Sequence, residues 1–285
     1  MVPSSMCNMF LSSCPSLLRT IAFSNLFRPL LSYFCVCQVG RGQKQSLSIT
    51  NTKFFKHCLP GVVRTAGYDA RNFVVHIGID RDDGYWNTAK RLAKIRDFEA
   101  LRNIRFSPVI VSGGTFVKAI NEVAKIAYRD GMQYFLRINA DSELLAPRSA
   151  TLGIRRLQSL KHRNVGVIGP LSYNDRPDIF TYDMTSRAHL KIFNENYYPT
   201  VFSNWFIDDW IGSIYGKNAS VRLQYFHVLH HEVDESKERH YVLDGKNGCN
   251  IFMFCTMRWM IRKKGTLFLI LPLRYTSDHK SKKRS

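Results

Sequence analysis

Four short apolar runs, separated by helical patterns, constrain this chain more than any other feature. They are FVVHIGID (73–80), PVIVSGG (108–114), YFLRI (134–138) and VGVIGP (165–170). Each is continuous rather than alternating, the mark of a strand covered on both faces, as in a parallel sheet. Between them lie a charged amphipathic pattern at 88–103, a strong one at 116–130 and another at 148–160. In the second, Phe116, Ala119, Ile120, Val123, Ala124 and Ala127 share one side. The alternation predicts an α/β fold with a mostly parallel sheet flanked by helices, whose ligands bind at the carboxyl ends of the strands. A short strand at LSIT (47–50) and a helix in KFFKHCLPGVVRTA (53–66) are expected before the first long run.

At 285 residues the chain is long enough for one large core or two smaller ones. Its net charge of +19 invites a nucleic-acid reading, which the distribution excludes. Residues 1–68 hold seven Lys or Arg and no acid, and residues 246–285 hold ten against one. Residues 69–245 hold 24 against 21, a nearly balanced domain. A nucleic-acid binder carries its positive stripe on the folded domain itself, so no nucleic-acid partner is expected. The seven cysteines leave 59–248 empty, which excludes a disulfide scaffold there.

Residues 1–45, acid-free and rich in Ser, Leu, Phe and Arg, read as a targeting-like or disordered basic segment. Arg19 and Arg28 divide it, and the uncharged run 29–40 holds 12 residues against the roughly 20 a membrane helix needs. The folded domain is predicted over 46–245. Residues 246–285 form an atypical basic and apolar segment, divided by Arg258, Arg262, Lys263 and Lys264, expected to touch membrane surfaces weakly.

Two acidic clusters carry the chemistry. YFLRINADSEL (134–144) is an apolar run that stops at Asn139, Asp141 and Glu143. Oxygen ligands at a strand end suit a hard cation such as Mg²⁺ or Mn²⁺; the alternative is a turn or helix cap at Asp141 and Ser142. NWFIDDWIGSIYG (204–216) sets Asp208 and Asp209 between Trp205 and Trp210. Carboxylates among so many apolar groups are costly unless paired or functional, and desolvation suits one of them to general-base work. The alternative is a helix N-terminus whose dipole the two acids complement. His230 and His231 are either metal ligands or structural histidines. TYDMTSRAHLKIF (181–193) reads as an amphipathic helix with Asp183, Arg187 and His189 facing solvent. Asn218-Ala219-Ser220 forms a glycosylation triplet.

Taken in order, these segments resemble the GT-A glycosyltransferases, in particular a family-two-like eukaryotic group. The resemblance spans roughly residues 46–242, with YYPTVFSNWFIDDWIGSIYG (197–216) its most specific part. It implies a GT-A sheet and a metal-dependent, inverting transfer of a sugar from a nucleoside-diphosphate donor to a glycan, protein or lipid hydroxyl. Asp80 would contact the nucleotide, with Asn121 and Asn139 beside the donor. Asp141, joined by His230 or His231, would hold Mn²⁺ or Mg²⁺, and Asp208 or Asp209 would deprotonate the acceptor. The secretory pathway is the implied compartment. One departure is Ala140, where relatives carry an acid; it motivates a second reading, a nucleotide- or glycan-binding protein without turnover. The C-terminal segment beyond 242 departs as well, and a basic adaptor acting through its tails is a third reading.

Overall fold

The computed structural model describes residues 31–36, 48–66, 72–102, 104–173, 179–231, 259–263 and 266–270. The targeting-like reading of residues 1–30 and most of the C-terminal segment lie outside them. Eight strands form one sheet: β1 (Leu31–Val36), β2 (Phe73–Asp80), β3 (Arg105–Val111), β4 (Tyr134–Arg137), β5 (Ser142–Leu144), β6 (Val167–Tyr173), β7 (Asp183–Ser186) and β8 (Ser220–His230). Their order is β3-β2-β1-β4-β7-β6-β8-β5. The first four run parallel, as do β6 and β8, while β7 and β5 run against their neighbours. This is the mostly parallel, helix-flanked sheet that the strand–helix alternation predicts.

Side-chain alternation explains why both faces are apolar. Phe73, Val75, Ile77 and Ile79 of β2 enter one core, with Tyr134 and Leu136 of β4; Val74 and Phe135 enter the other. The first core is covered by α1 (Leu59–Ala66) and α4 (Ser149–Gln158), the second by α3 (Phe116–Arg129) and α6 (Ile207–Tyr215). Helix α3 is started by Thr115, whose side chain accepts from Lys118 N at 3.2 Å, and buries Val117, Ala119, Ile120, Val123, Ala124 and Ala127. Each large apolar side chain buried this way contributes about 1.5–3 kcal/mol. Helix α2 (Ala89–Arg102) packs beside β3, and α5 (Arg187–Ile192) follows β7 directly.

Three expectations are corrected. Leu31–Val36, placed by its composition in the targeting-like segment, is a strand inserted between β2 and β4. Its uncharged run, too short for a membrane helix, has the length and β-branched or aromatic content of a buried strand. The LSIT strand is instead a 3-10 turn at Ile49–Asn51. The amphipathic helix expected over 181–193 begins as β7, with all four residues buried, and only then becomes α5. Asp183 and His189 are 0% and 1% exposed rather than solvent-facing, because each finds polar partners inside. Strands β9 (Trp259–Lys263) and β10 (Thr266–Ile270) pair antiparallel as a separate two-stranded sheet. Among the described residues no helix is long and apolar enough to cross a membrane.

Candidate functional site

The carboxyl ends of the parallel strands form the rim on which the acidic residues gather. Asp80 ends β2, Arg137 ends β4, and the turn Ile138–Asp141 leads from β4 into β5, closed by Ser142 N to Asn139 O at 3.1 Å. That turn is followed by a strand, not a helix, so Asp141 caps nothing. Its backbone O accepts from His231 N at 3.0 Å, and its Oδ2 lies 3.3 Å from His230 Nε2. The other oxygen, Oδ1, is buried without a hydrogen-bond partner. Burying a carboxylate oxygen that way is costly, and a bound cation is one remedy. Asp141 and His230 therefore fit a divalent-metal pair, one hard oxygen and one imidazole. Ala140, between Asn139 and Asp141, packs partly buried against the core.

Arg137 ties this turn to the second acidic cluster. Its side chain, 2% exposed, donates from Nε to Asp183 Oδ2 at 2.8 Å and from Nη2 to Asp208 Oδ1 at 2.7 Å and Phe180 O at 3.0 Å. Asp183 also accepts from the hydroxyls of Tyr197 and, at 2.5 Å, Tyr198. Burial alone would lower the Arg137 pKa, but Tyr198, Asp183 and Asp208 outweigh it and hold the guanidinium charged. Burial likewise pushes both tyrosines up, so they remain hydroxyl donors. Around them His189 accepts from Tyr215 and donates from Nε2 to Tyr197 O, both at 2.7 Å. The carbonyl can only accept, which fixes the neutral tautomer. Desolvation drives the His189 pKa down to about 4.

Asp208 and Asp209 occupy the first turn of α6, where the helix dipole favours them. Phe206, just before, sits at φ 69, a left-handed conformation unusual for a bulky residue. Asp208, two residues on, meets Arg137 at the end of β4. Trp210 is buried among Phe193, Tyr198 and Phe202. The helix-dipole reading thus matches the position of both acids, and Asp208 is the one paired with Arg137.

Two candidates are placed elsewhere. Asn121 is buried in α3 with its amide spent on backbone: Oδ1 accepts from Tyr197 N at 2.8 Å and Tyr198 N at 2.9 Å, and Nδ2 donates to Tyr198 O at 2.9 Å. It clamps the loop leading to the acidic helix rather than facing a ligand. His231 turns away from Asp141 and bonds Glu143 Oε2 through Nε2 at 2.9 Å. Its ring stacks on His57 at 3.7 Å, and Arg64 holds Glu143 Oε1 from both Nη atoms at 3.1 Å. Burial of Glu143 opposes its charge, but His231 and Arg64 prevail and lower its pKa. Burial and the His231 neighbour lower that of His57.

Sequence reasoning missed Arg137, although a cation inside an apolar strand already demands a buried partner. Asp183 was noticed but assigned to solvent, Tyr197 and Tyr198 stood only as part of the resembling segment, and His57 had no comparable signal. A cavity lined by Val74, Arg105, Phe106, Ser107, Asp130 and Met132 opens at the other end of the sheet, where β2 and β3 begin.

No protein-family model matches the chain, and no curated protein matches it. Solved structures do resemble it. TarS from S. aureus is 14% identical at a TM-score of 0.47, over 69% of this chain and 36% of that one. Residues 1–349 of TarS in complex with UDP give 15% identity and a TM-score of 0.44, over 70% of this chain and 60% of that one. A 4-diphosphocytidyl-2C-methyl-D-erythritol synthase from Anaerococcus prevotii gives 13% and 0.41, over 70% and 87%. The chain thus spans between about a third and three-fifths of the two TarS structures.

Proposed function

We propose that the acidic rim binds a nucleoside-diphosphate sugar and transfers its sugar to a hydroxyl acceptor. The observation that carries this reading is the Arg137–Asp208 ion pair at 2.7 Å. It brings the two acidic clusters, 71 positions apart at that bond, to one end of the sheet. In open α/β folds that end is where nucleotides are held.

Asp141 and His230 would hold a divalent cation, Mn²⁺ or Mg²⁺, which when bound offsets the charge of a diphosphate leaving group. Asp80, at the end of β2, would contact the nucleoside, with Asn139, inside the turn after β4, beside the donor. Arg137 orients Asp208 and keeps the first turn of α6 in register. Asp209, adjacent on that turn and partly buried, is the residue for accepting the proton of the acceptor hydroxyl. A base poised opposite the departing diphosphate gives inversion at the anomeric carbon.

The test is donor hydrolysis and transfer with a panel of nucleotide sugars, alongside calorimetry with UDP and Mn²⁺. Turnover lost in Asp209→Asn with UDP binding retained supports the assignment; unchanged turnover overturns it. Ala140 favours a second reading, since one acid fewer lines the turn. Metal-dependent UDP binding without turnover of any donor selects that reading, a nucleotide- or glycan-binding protein. Binding lost on removal of the basic tails points to the adaptor instead.

A further inference from the structure

We infer that His57, Glu143 and His231 form a second metal site, separate from the Asp141–His230 pair and selective for a borderline divalent ion such as Zn²⁺. One donor atom from each of the three lies within 4.8 Å of the others. Two imidazoles and a carboxylate make a donor set suited to zinc, in contrast to the oxygen-rich surroundings that suit Mg²⁺ or Mn²⁺.

Three elements converge to make it. Glu143 is the middle residue of β5, and His231 follows the last residue of β8, its strand partner. His57 comes from the turn before α1, which is wound as a π-helix over Phe54–Cys58, Leu59 N bonding Phe54 O. Pro60 explains that winding: its ring conflicts with the carbonyl four residues back and it has no N–H to offer. Wide turns of this type recur at functional sites because they re-aim one side chain. Here the turn lays the His57 ring flat against His231, centroids 3.7 Å apart and planes at 19°.

The surroundings already resemble the outer shell of a metal centre. Arg64 occupies Glu143 Oε1 with both Nη atoms at 3.1 Å, which leaves Oε2 directed at His231. Lys53 Nζ holds the His231 carbonyl at 3.3 Å. Such partners orient ligands without competing for the ion. Tetrahedral zinc with bonds of about 2.0–2.1 Å sets its ligands roughly 3.3 Å apart, so the triad needs to close by about 1.5 Å at its widest. Side-chain rotation of His57 accomplishes that. The ion displaces the proton shared between His231 Nε2 and Glu143 Oε2 and releases it to solvent. A fourth position is left for water. Bound there, the ion clips the turn before α1 to the sheet edge.

The test uses the full chain. Zn²⁺ affinity is measured by competition with a chromophoric chelator, and Co²⁺ is added as an optical reporter of tetrahedral nitrogen and oxygen ligation. One equivalent of Zn²⁺, visible Co²⁺ absorption and a raised Tm are expected. His57→Ala and His231→Ala each weaken Zn²⁺ by on the order of 100-fold or more, whereas Asp141→Asn leaves it unchanged. His57→Cys restores binding with a thiolate and shifts the Co²⁺ spectrum, which separates lost ligation from lost folding. No tight equivalent in the parent chain overturns the site. So does an equivalent that survives both alanine variants, or one that vanishes only with Asp141→Asn.

Discussion

Arg137 Nη2 reaches Asp208 Oδ1 at 2.7 Å while Nε of the same guanidinium holds Asp183 at 2.8 Å. One cation therefore joins the end of β4, the start of β7 and the first turn of α6. The two carboxylates outnumber it, and Asp209 and Asp141 add to the excess. A diphosphate approaching this rim is expected to come with a divalent cation rather than alone.

Replacing Arg137 with Met leaves Asp183 buried with only tyrosine hydroxyls for company. Removing one member of a buried pair costs about 3–5 kcal/mol. Chemical denaturation of Arg137→Met is expected to show a loss of that size. Pairing it with Asp183→Asn is expected to recover part of it, since no buried charge then remains. A loss under 1 kcal/mol in the single variant contradicts the network.

The two adjacent acids are expected to separate kinetically. Asp209→Asn removes the proposed base and is expected to lower kcat by about 10²–10⁴-fold, with a change in Tm no larger than loss of one helix-dipole charge brings. Asp208→Asn keeps an oxygen for Arg137, so its effect falls mainly on positioning, with a smaller loss of kcat and a lowered Tm. Equal losses from both, or a larger one from Asp208→Asn, reverse the roles.

The sheet was legible because its strands are buried on both faces and spell that out as continuous apolar runs; β2 and β4 match 73–80 and 134–138 within a residue. β1 was not, because its neighbours in sequence are basic and its partners lie 42 positions or more away. β7 was misread since Asp183 and Thr185 look polar, and their burial is made tolerable by partners distant in sequence or beyond the strand, Arg137 with Tyr197 and Tyr198 for Asp183 and Tyr197 for Thr185. Asp141 and the Asp208–Asp209 pair stood out locally. Their joining through Arg137 is a tertiary fact that spacing along the chain does not encode.

Gly61 is where α1 meets β5. A Cβ there would stand 2.6 Å from Leu144 N and 3.0 Å from Leu144 O, both backbone atoms that cannot swing aside. Gly61→Ala is expected to cost about 1–3 kcal/mol despite alanine's better helix propensity. Because Arg64 and the turn bearing His57 ride on the same helix, the variant is also expected to lengthen the Arg64–Glu143 contacts. Unfolding curves check the first effect and a crystal structure of the variant the second.

Acid is expected to loosen the second core through His189. Its unfolded pKa is near 6.5 and its folded value is about 4, because desolvation outweighs the Tyr197 carbonyl and Asp183. Between those values the unfolded chain binds the proton and the folded chain does not, so stability rises with pH across that window. The contribution is complete above about 6.5 and disappears as pH falls toward 4, a span worth about 3 kcal/mol. Protonating Nδ1 would also turn the acceptor of the Tyr215 hydroxyl into a second donor. Unfolding free energies at several pH values between 4 and 7 are expected to show this slope in the parent chain. In His189→Gln, which cannot titrate, the slope should flatten by about the same amount. An equal slope in both proteins places the acid sensitivity in other groups, His76 and His57 first among them, since burial lowers both from a value of 6.5 that lies inside this window, whereas Glu143, lowered from 4.5, titrates below most of it.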